Sequence, residues 1–298
     1  MSSEDSEKIE ESIEIIEDSI DIENLEPLLV PGQTRDERYF ALFMKALNMC
    51  LAYKPMFGKG KKGGYTLQEF QSLYAKDPFY HWIGLDSPAI YAAHKTAGGM
   101  TSIYRQLGIG GEWIFRAILR DSFDLSIEQT SWSYSLPTLA GKPKTLTLDG
   151  RLRTVDIPDS KQQHIVENWL EGVKDILQIQ QLDARQSIQG CIFEVRQGYK
   201  SMDSKRQNAD IDNAANAYLH HYVPILILLS QQMHPHLIQR YSNARILFLN
   251  GTIQGSVVDS TYTFCREVLG YDLAAFFEKY STQIKNEIVK IVTALFEV

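Results

Sequence analysis

The chain has 298 residues, of which 44% are hydrophobic and 22% charged, and this is the composition of an ordinary globular protein. It has no run of eighteen apolar residues and its N-terminus is acidic, so neither a transmembrane helix nor a secretory signal peptide is expected. Three widely spaced cysteines argue against a disulfide framework or a cysteine-rich metal site, and they favour a reducing, cytoplasmic setting.

Residues 1–30 form an acidic tail. They carry eleven Asp or Glu and one Lys, a net charge of −10, which leaves +3 on the remaining residues out of a total of −7. Such a tail is typical of a solvated or disordered segment. A second interpretation is that it mimics the charge of a nucleic acid and covers a basic cleft. The mildly basic body therefore keeps a nucleic-acid partner open despite the negative total charge.

Residues 31–107 are predicted to form a helical region with a basic loop. Helical periodicity runs from Gln33 to Tyr53, and two shorter helices are expected after the loop. The loop, FGKGKKGGY, combines glycines with three lysines and lacks the spacing of a phosphate-binding P-loop. Its lysines either contact phosphates or lie on a solvated surface. They are Lys59, Lys61 and Lys62.

Residues 108–250 are predicted to form the core of an α/β protein, a mixed central sheet flanked by helices. The expected order is a helix that follows the glycines at 108–111, a strand over 130–136, a hairpin over 144–157 turning at Asp149-Gly150, a helix over 162–177, adjacent strands over 179–187 and 188–197, a helix over 204–221 and a buried strand over 223–229. The last strand–helix–strand unit is a βαβ crossover, which normally makes its strands parallel. Residues 251–298 are predicted to be C-terminal helices packed on this core.

A carboxylate stands in the middle of the strand predicted over 188–197. An ionised Glu194 is costly to bury there unless it is paired or bound to a metal, and Arg196 on the same face offers a structural ion pair. The alternative is a metal site, because Asp183 would approach Glu194 across the expected hairpin. Oxygen ligands select a hard cation such as Mg²⁺, which would polarise a phosphate and lower the pKa of the attacking water.

The pattern Asp-x10-Glu-x-Arg, placed between a helix with an acid near its start and a βαβ crossover, resembles the PD-(D/E)XK nuclease superfamily. The string EVRQGYKSMDSKRQNADI, with NAANAY downstream and GGMTSIYRQLGIGGEWIFR upstream, is similar to the ApaLI-like type II restriction endonucleases from about Phe57 onward. This resemblance implies Mg²⁺-dependent cleavage of double-stranded DNA at a short palindrome such as GTGCAC. It also implies a homodimer that matches the two-fold symmetry of the site, and a cognate DNA methyltransferase in the same system.

The resemblance assigns roles to individual residues. Asp183 and Glu194 match the two acids that ligate the metal, and Glu112 matches a further acid on the helix before the sheet. The superfamily lysine falls on Arg196, and an arginine cannot act as a general base at neutral pH. The essential cation is therefore either Arg196, as a charge stabiliser, or Lys200, which lies on the same predicted face.

A basic run follows Lys200 and enters the helix predicted over 204–221. Cations in the first turn of a helix oppose its dipole, which suits a site for an anion such as a phosphate, although an exposed basic turn explains them as well. The residues expected to contact DNA are Lys205, Arg206, Gln207 and Asn208. The dipeptide Pro158-Asp159 matches the Pro-Asp of the superfamily motif, but a predicted helix separates it from Glu194. It is therefore interpreted as the N-terminal cap of that helix.

Two other functions stay open. One is a structure-specific nuclease of repair or recombination that has the same fold and cuts branched DNA. The other is a non-catalytic DNA-binding or scaffold protein in which Asp183 and Glu194 form structural ion pairs. Incubation with DNA and Mg²⁺ distinguishes the three functions. A restriction enzyme predicts discrete fragments, a structure-specific nuclease predicts cleaved junctions, and a non-catalytic protein predicts binding without cleavage.

Overall fold

A computed structural model describes residues 32–57, 63–136, 144–179, 187–198 and 204–297, without the side chains of 204–206. The chain divides into two compact units. One unit takes in the chain up to Gly110 and from Tyr280 onward, and the other is Gly111–Lys279. Within the described ranges, no helix combines the length and the apolarity that a membrane span requires.

Helices and strands alternate through the second unit, whereas the first unit is helical. The helices are α1 (Arg35–Asn48), α2 (Leu67–Tyr74), α3 (Pro78–Trp82), α4 (Pro88–Phe123), α5 (Ile127–Thr130), α6 (Ser160–Ile176), α7 (Ser204–Leu219), α8 (Pro235–Asn243), α9 (Thr261–Glu267) and α10 (Leu273–Phe296). The strands are β1 (Trp132–Leu136), β2 (Lys144–Leu148), β3 (Gly150–Arg153), β4 (Gly190–Arg196), β5 (Tyr222–Leu228) and β6 (Leu247–Leu249). Short 3-10 helices cover Met49–Ala52 and Thr154–Asp156.

Helix α4 corrects one prediction, because a single helix of 36 residues replaces the two that were expected. The glycines were interpreted as the end of a helix, but they lie where other groups pack closely. A Cβ on Gly98 would stand 1.9 Å from the Tyr53 hydroxyl, and one on Gly110 would stand 2.8 Å from the ring of Phe43. Each glycine costs the helix about 1 kcal/mol relative to alanine, and the close packing offsets that cost.

The first unit has an aromatic core of its own. Phe57, Phe70 and Tyr91 are buried together, and the ring centroids of Phe57 and Phe70 lie 4.8 Å apart. Lys95 Nζ donates to the carbonyl oxygen of Ala294 at 2.9 Å and so satisfies the end of α10. The segment from Tyr280 onward therefore belongs to this unit, although all of 251–298 was expected to pack on the nuclease core.

The main sheet has the strand order β3-β4-β5-β6. β3 and β4 are antiparallel, whereas β4, β5 and β6 run parallel to one another. Helix α7 connects β4 to β5, so the predicted βαβ crossover is confirmed. All seven residues of β5 are buried, as its apolar sequence predicts for a central strand. The fold is thus α/β with a mixed sheet flanked by helices.

The hairpin predicted at Asp149-Gly150 is wrong. β2 pairs with β1 in a separate two-stranded sheet, and β3 pairs with β4, so Asp149 links strands that belong to different sheets. The antiparallel neighbour of β4 among the described residues is consequently β3. The strand expected over 179–187 lies outside the described residues from 180 to 186. Each strand obtains a longer or more buried partner than a hairpin across Asp149 would give it.

Close packing fixes the position of β4. Phe193 is fully buried, and its ring centroid lies 5.0 Å from that of Phe115 on α4 and 6.0 Å from that of Phe264 on α9. At the start of the strand, a Cβ on Gly190 would come within 2.0 Å of the carbonyl oxygen of Leu152 on β3. The backbones of β3 and β4 therefore approach at a place that only glycine allows.

Candidate active site

Two charged residues lie near the C-terminal end of β4, on the face opposite Phe193. Glu194 and Arg196 are two positions apart, so their side chains share this face. Arg196 Nη2 lies 2.9 Å from Glu194 Oε1, so the ion pair suggested by the sequence is present. The Arg196 side chain is 9% exposed and that of Glu194 is 26% exposed, and the carboxylate is therefore the part of the pair that reaches solvent.

Asp149 is bound to β4 beside this pair. Its N–H donates to the carbonyl oxygen of Phe193 at 3.0 Å, and its Oδ2 accepts from the Val195 N–H at 2.6 Å. These bonds extend the pairing of β3 with β4 by one residue. They hold the Asp149 carboxylate against the segment of strand that carries Glu194.

Helix α4 adds Glu112 and Arg116, which are one helical turn apart. Arg116 Nη2 lies 2.7 Å from Glu112 Oε1 and 3.7 Å from Asp149 Oδ1, and Arg116 Nε donates to the Asp149 carbonyl oxygen at 2.6 Å. The Glu112 and Asp149 carboxyl groups are close enough for each to affect the ionisation of the other. Arg116 thus ties the helix to the connection before β3 and brings the two acids together. Glu112 lies well inside α4, and not in a first turn as predicted.

Helix α7 supplies a fourth acid. Arg196 Nη2 donates to Asp210 Oδ1 at 2.6 Å, and the Tyr241 hydroxyl of α8 donates to Asp210 Oδ2 at 2.6 Å. We call the whole group the carboxylate–arginine cluster. Its members are Glu112, Arg116, Asp149, Glu194, Arg196 and Asp210. Four carboxylates face two guanidinium groups, so the cluster has an excess of negative charge when every acid is ionised.

Burial and crowding change the acidity of this cluster. Burial, together with repulsion from Glu112, raises the pKa of Asp149 to about 7, although Arg116 opposes the shift. Burial also raises the pKa of Glu112, with a smaller contribution from Glu194, and Arg116 again opposes it. Because the charges of Glu112 and Asp149 repel each other, the ionisation of one carboxyl group opposes that of the other.

A pocket of about 350 Å³, which includes space open to solvent, adjoins the cluster. Glu194, Asp210 and Tyr241 form its polar wall. The rest of the lining is largely apolar and comes from both sheets and from α7, with side chains such as Leu148, Ile192, Ala214 and Leu226. The exposed edge of Glu194 is thus accessible from a preformed recess next to the sheet.

The structure brings Glu112, Glu194 and Arg196 together, as their predicted roles require. Several other predicted site residues cannot be placed. Asp183, Lys200, Lys59, Lys61 and Lys62 lie outside the described residues, as do the side chains of Lys205 and Arg206. Their assigned roles stay predictions.

Gln207 and Asn208, which were expected to contact DNA, both accept hydrogen bonds from Arg240 of α8. The Arg240 Nη1 to Gln207 Oε1 distance is 2.6 Å, and Gln207 is buried. That burial makes Gln207 part of the packing between α7 and α8. Asn208 is exposed and keeps an amide group that can reach a ligand.

Sequence reasoning missed Asp149. The dipeptide Asp149-Gly150 is a strong signal for a two-residue turn, and it was interpreted in that way. The signal that could have identified it is the run GRLR after it, which alternates as a buried strand does and can pair with β4. Only the register of this strand with β4 then places Asp149 beside the segment that carries Glu194. Asp159, in contrast, caps α6 as predicted, because its side chain accepts from the Gln162 N–H at 2.8 Å.

The donors of the cluster suit Mg²⁺, because they are carboxylate oxygens only. The raised pKa of Asp149 is a second point of fit, since a divalent cation would relieve the repulsion between neighbouring acids. Within the described part of the chain, however, no three His, Cys, Asp or Glu side chains are grouped so that they could hold a metal ion. Arg116 and Arg196 neutralise Glu112 and Glu194 instead. Metal binding would therefore require these arginines to move away from their carboxylates.

The site thus combines a partly exposed carboxylate of Glu194 in a recess, a raised pKa at Asp149 and two arginines, a combination that is used in both acid–base and anion chemistry. Comparisons with protein-family models, with curated proteins and with solved structures gave no match.

Proposed function

We propose that this chain is a type II restriction endonuclease that hydrolyses phosphodiester bonds in double-stranded DNA at a short palindrome, with Mg²⁺ as its cofactor. The observation that carries the proposal is the carboxylate–arginine cluster, in which Arg116 contacts both Glu112 and Asp149, and Asp149 is hydrogen-bonded to the strand that carries Glu194. Arg116 and Arg196 would have to release Glu112 and Glu194 before these acids could bind the ion. Asp149 supplies the first acid, a place that the sequence assigned to Asp183. The resemblance of the sequence to ApaLI-like enzymes, and a core in which α4 precedes β3, β4, α7 and β5, agree with it.

Each residue of the cluster has a task in this chemistry. Glu112, Asp149 and Glu194 would hold Mg²⁺, which supplies polarisation of the phosphate and acidification of the attacking water. Arg196 stays protonated at neutral pH, so it stabilises negative charge on the phosphate and moves no proton. Arg116 holds the Asp149 carboxylate in place through its bond to the Asp149 carbonyl oxygen.

The proposal is tested by incubating the protein and Mg²⁺ with unmethylated phage DNA. We expect discrete fragments. We expect Glu194→Gln and Asp149→Asn to reduce the cleavage rate about 1000-fold or more, because a metal ligand contributes several kcal/mol to such a reaction. Duplex binding, measured by fluorescence anisotropy, should change little. A smear, or cleavage of branched junctions only, would favour the structure-specific nuclease.

Glu267→Gln provides a matched control. Glu267 is a solvent-exposed acid of the same unit whose ion pair is with the neighbouring Arg266. This variant should cut at the wild-type rate. If Glu194→Gln cuts as fast as Glu267→Gln, the metal site is misplaced.

A non-catalytic DNA-binding protein is the second candidate. The ion pairs of the cluster favour it, because Glu112 and Glu194 each hold an arginine and the described residues present no ready metal site. This function predicts duplex binding without cleavage in either Mg²⁺ or Mn²⁺. It also predicts that charge-removing variants of the cluster lower the unfolding midpoint and leave every DNA substrate intact.

A further inference from the structure

Arg196 is shared between two carboxylates. The same nitrogen, Nη2, lies 2.9 Å from Glu194 Oε1 and 2.6 Å from Asp210 Oδ1. Glu194 is on the same strand as Arg196, but Asp210 reaches it from α7. The shorter distance is thus to the acid that the sequence places fourteen residues away, outside the short strand motif.

The other oxygen of the Asp210 carboxylate also accepts a hydrogen bond. The Tyr241 hydroxyl donates to Asp210 Oδ2 at 2.6 Å, and Tyr241 is fully buried on α8. The exposed fraction of each side chain rises along the series, from 0% for Tyr241 through 9% for both Asp210 and Arg196 to 26% for Glu194. A hydrogen-bonded row therefore leads from the core to the carboxylate in the recess.

The contacts with Glu194 and Asp210 fix the position of the Arg196 guanidinium group. Charge-assisted bonds from a guanidinium group are short and directional, so the acid that binds it also orients it. If Glu194 were its only acid at this nitrogen, Arg196 would neutralise the carboxylate that is needed for Mg²⁺. Asp210 draws part of that interaction to itself and so leaves Glu194 less strongly paired.

We propose that Asp210 is a positioning residue that keeps the Arg196 guanidinium in the cluster when Glu194 turns from it to Mg²⁺, and that Tyr241 fixes the Asp210 carboxylate for this purpose. This inference rests on the proposed nuclease function. It extends the functional site beyond the strand motif to α7 and α8.

The first test compares single-turnover cleavage by Asp210→Asn with that by Asp212→Asn, an exposed acid two residues away on the same helix. Asn keeps the shape and the acceptor but removes the charge. We expect Asp210→Asn to cut about 10- to 100-fold more slowly, the usual effect of losing a group that orients a functional residue. Its duplex affinity should stay within about twofold. Asp212→Asn should match wild type in both measurements.

The second test repeats Asp210→Asn in an Arg196→Met background, where no charge remains to be positioned. We expect the further loss of rate to be less than about threefold, because partners in one network are not additive. Equal losses in both backgrounds would show that Asp210 acts independently of Arg196 and would overturn the inference. So would an Asp210→Asn variant that cuts like wild type.

A Tyr241→Phe variant serves if Asp210→Asn does not fold, because it removes only the hydroxyl. We expect a smaller loss of rate, about threefold to tenfold, at unchanged duplex affinity. A wild-type rate for Tyr241→Phe would overturn its role in fixing Asp210. If wild-type protein itself cuts no DNA, the proposed function fails and this inference falls with it, which separates that failure from one confined to the variants.

Discussion

The two faces of β4 contrast sharply although they belong to one strand of seven residues. On one face, Phe193 is fully buried between aromatic rings of α4 and α9. On the other face, Glu194 and Arg196 take part in a network of ion pairs that leads to a recess open to solvent. The apolar face fixes where the strand lies, and the charged face uses that fixed position. Apolar packing and ion pairing are therefore carried by adjacent residues of one strand.

Replacing Phe193 with alanine removes the aromatic packing on the apolar face of β4. A fully buried Phe→Ala change costs about 3–5 kcal/mol through lost transfer energy and the cavity that remains. We expect a loss of that size in the free energy of unfolding, measured by urea denaturation. Glu194→Gln should change it by less than about 1 kcal/mol, because the pair is partly exposed and Arg196 keeps Asp210. Equal losses would show that both faces support the fold.

Asp149→Asn tests the charged face of β4 through the pH dependence of the free energy of unfolding. The folded-state pKa of Asp149 is about 7, above the ordinary 3.8, so folded protein keeps a proton that the unfolded chain releases between those pH values. The free energy of unfolding of wild type should therefore fall as pH rises through this window, by at most roughly 4 kcal/mol. Asn cannot titrate and can still accept from the Val195 N–H, so the variant should lack this part of the decline.

Thermal unfolding at pH 5 and pH 8 measures this effect. At pH 8 the variant should be more stable than wild type, and the gap should shrink at pH 5. Mg²⁺ added at pH 8 should stabilise wild type more than the variant. Parallel profiles for the two proteins at all pH values would show that Asp149 does not titrate in this window.

Arg196→Lys makes the smallest change, because it keeps the charge and removes the planar fork. We expect the cleavage rate to fall about tenfold, which corresponds to about 1.4 kcal/mol, because an ammonium group cannot reproduce the geometry between Glu194 and Asp210. Arg266→Lys, at an exposed site of the same unit, is the control and should cut normally. A faster Arg196→Lys enzyme would mean that the arginine restrains Glu194 and does not assist the reaction.

Local patterns predicted much of this fold. The apolar run of β5 and the alternation around Glu194 gave their strands correctly, and Asp159 was rightly interpreted as a cap. Patterns that depend on distant partners were misleading. The turn signal at Asp149 was outweighed by pairing of β3 with β4, and the glycines of α4 were accommodated by close packing.

The same distinction applies to the candidate site. Glu194 and Arg196 are neighbours in sequence, so their pairing could be predicted. Asp149 and Asp210 reach them through the register of β3 and the docking of α7, which no short motif encodes. The location of the site was therefore predictable to one strand, whereas its full membership required the tertiary structure.

The glycine at the start of β4 allows β3 and β4 to approach closely at the end of their pairing that lies away from the acids. Because Gly190 has no side chain, β3 can lie against β4 at the carbonyl oxygen of Leu152, and the register continues from there to Asp149 and Glu194. A larger residue at position 190 would push β3 and β4 apart at a point four residues from Glu194. The pairing of the two strands that bring Asp149 beside Glu194 thus depends on a residue that has neither a charge nor a side chain.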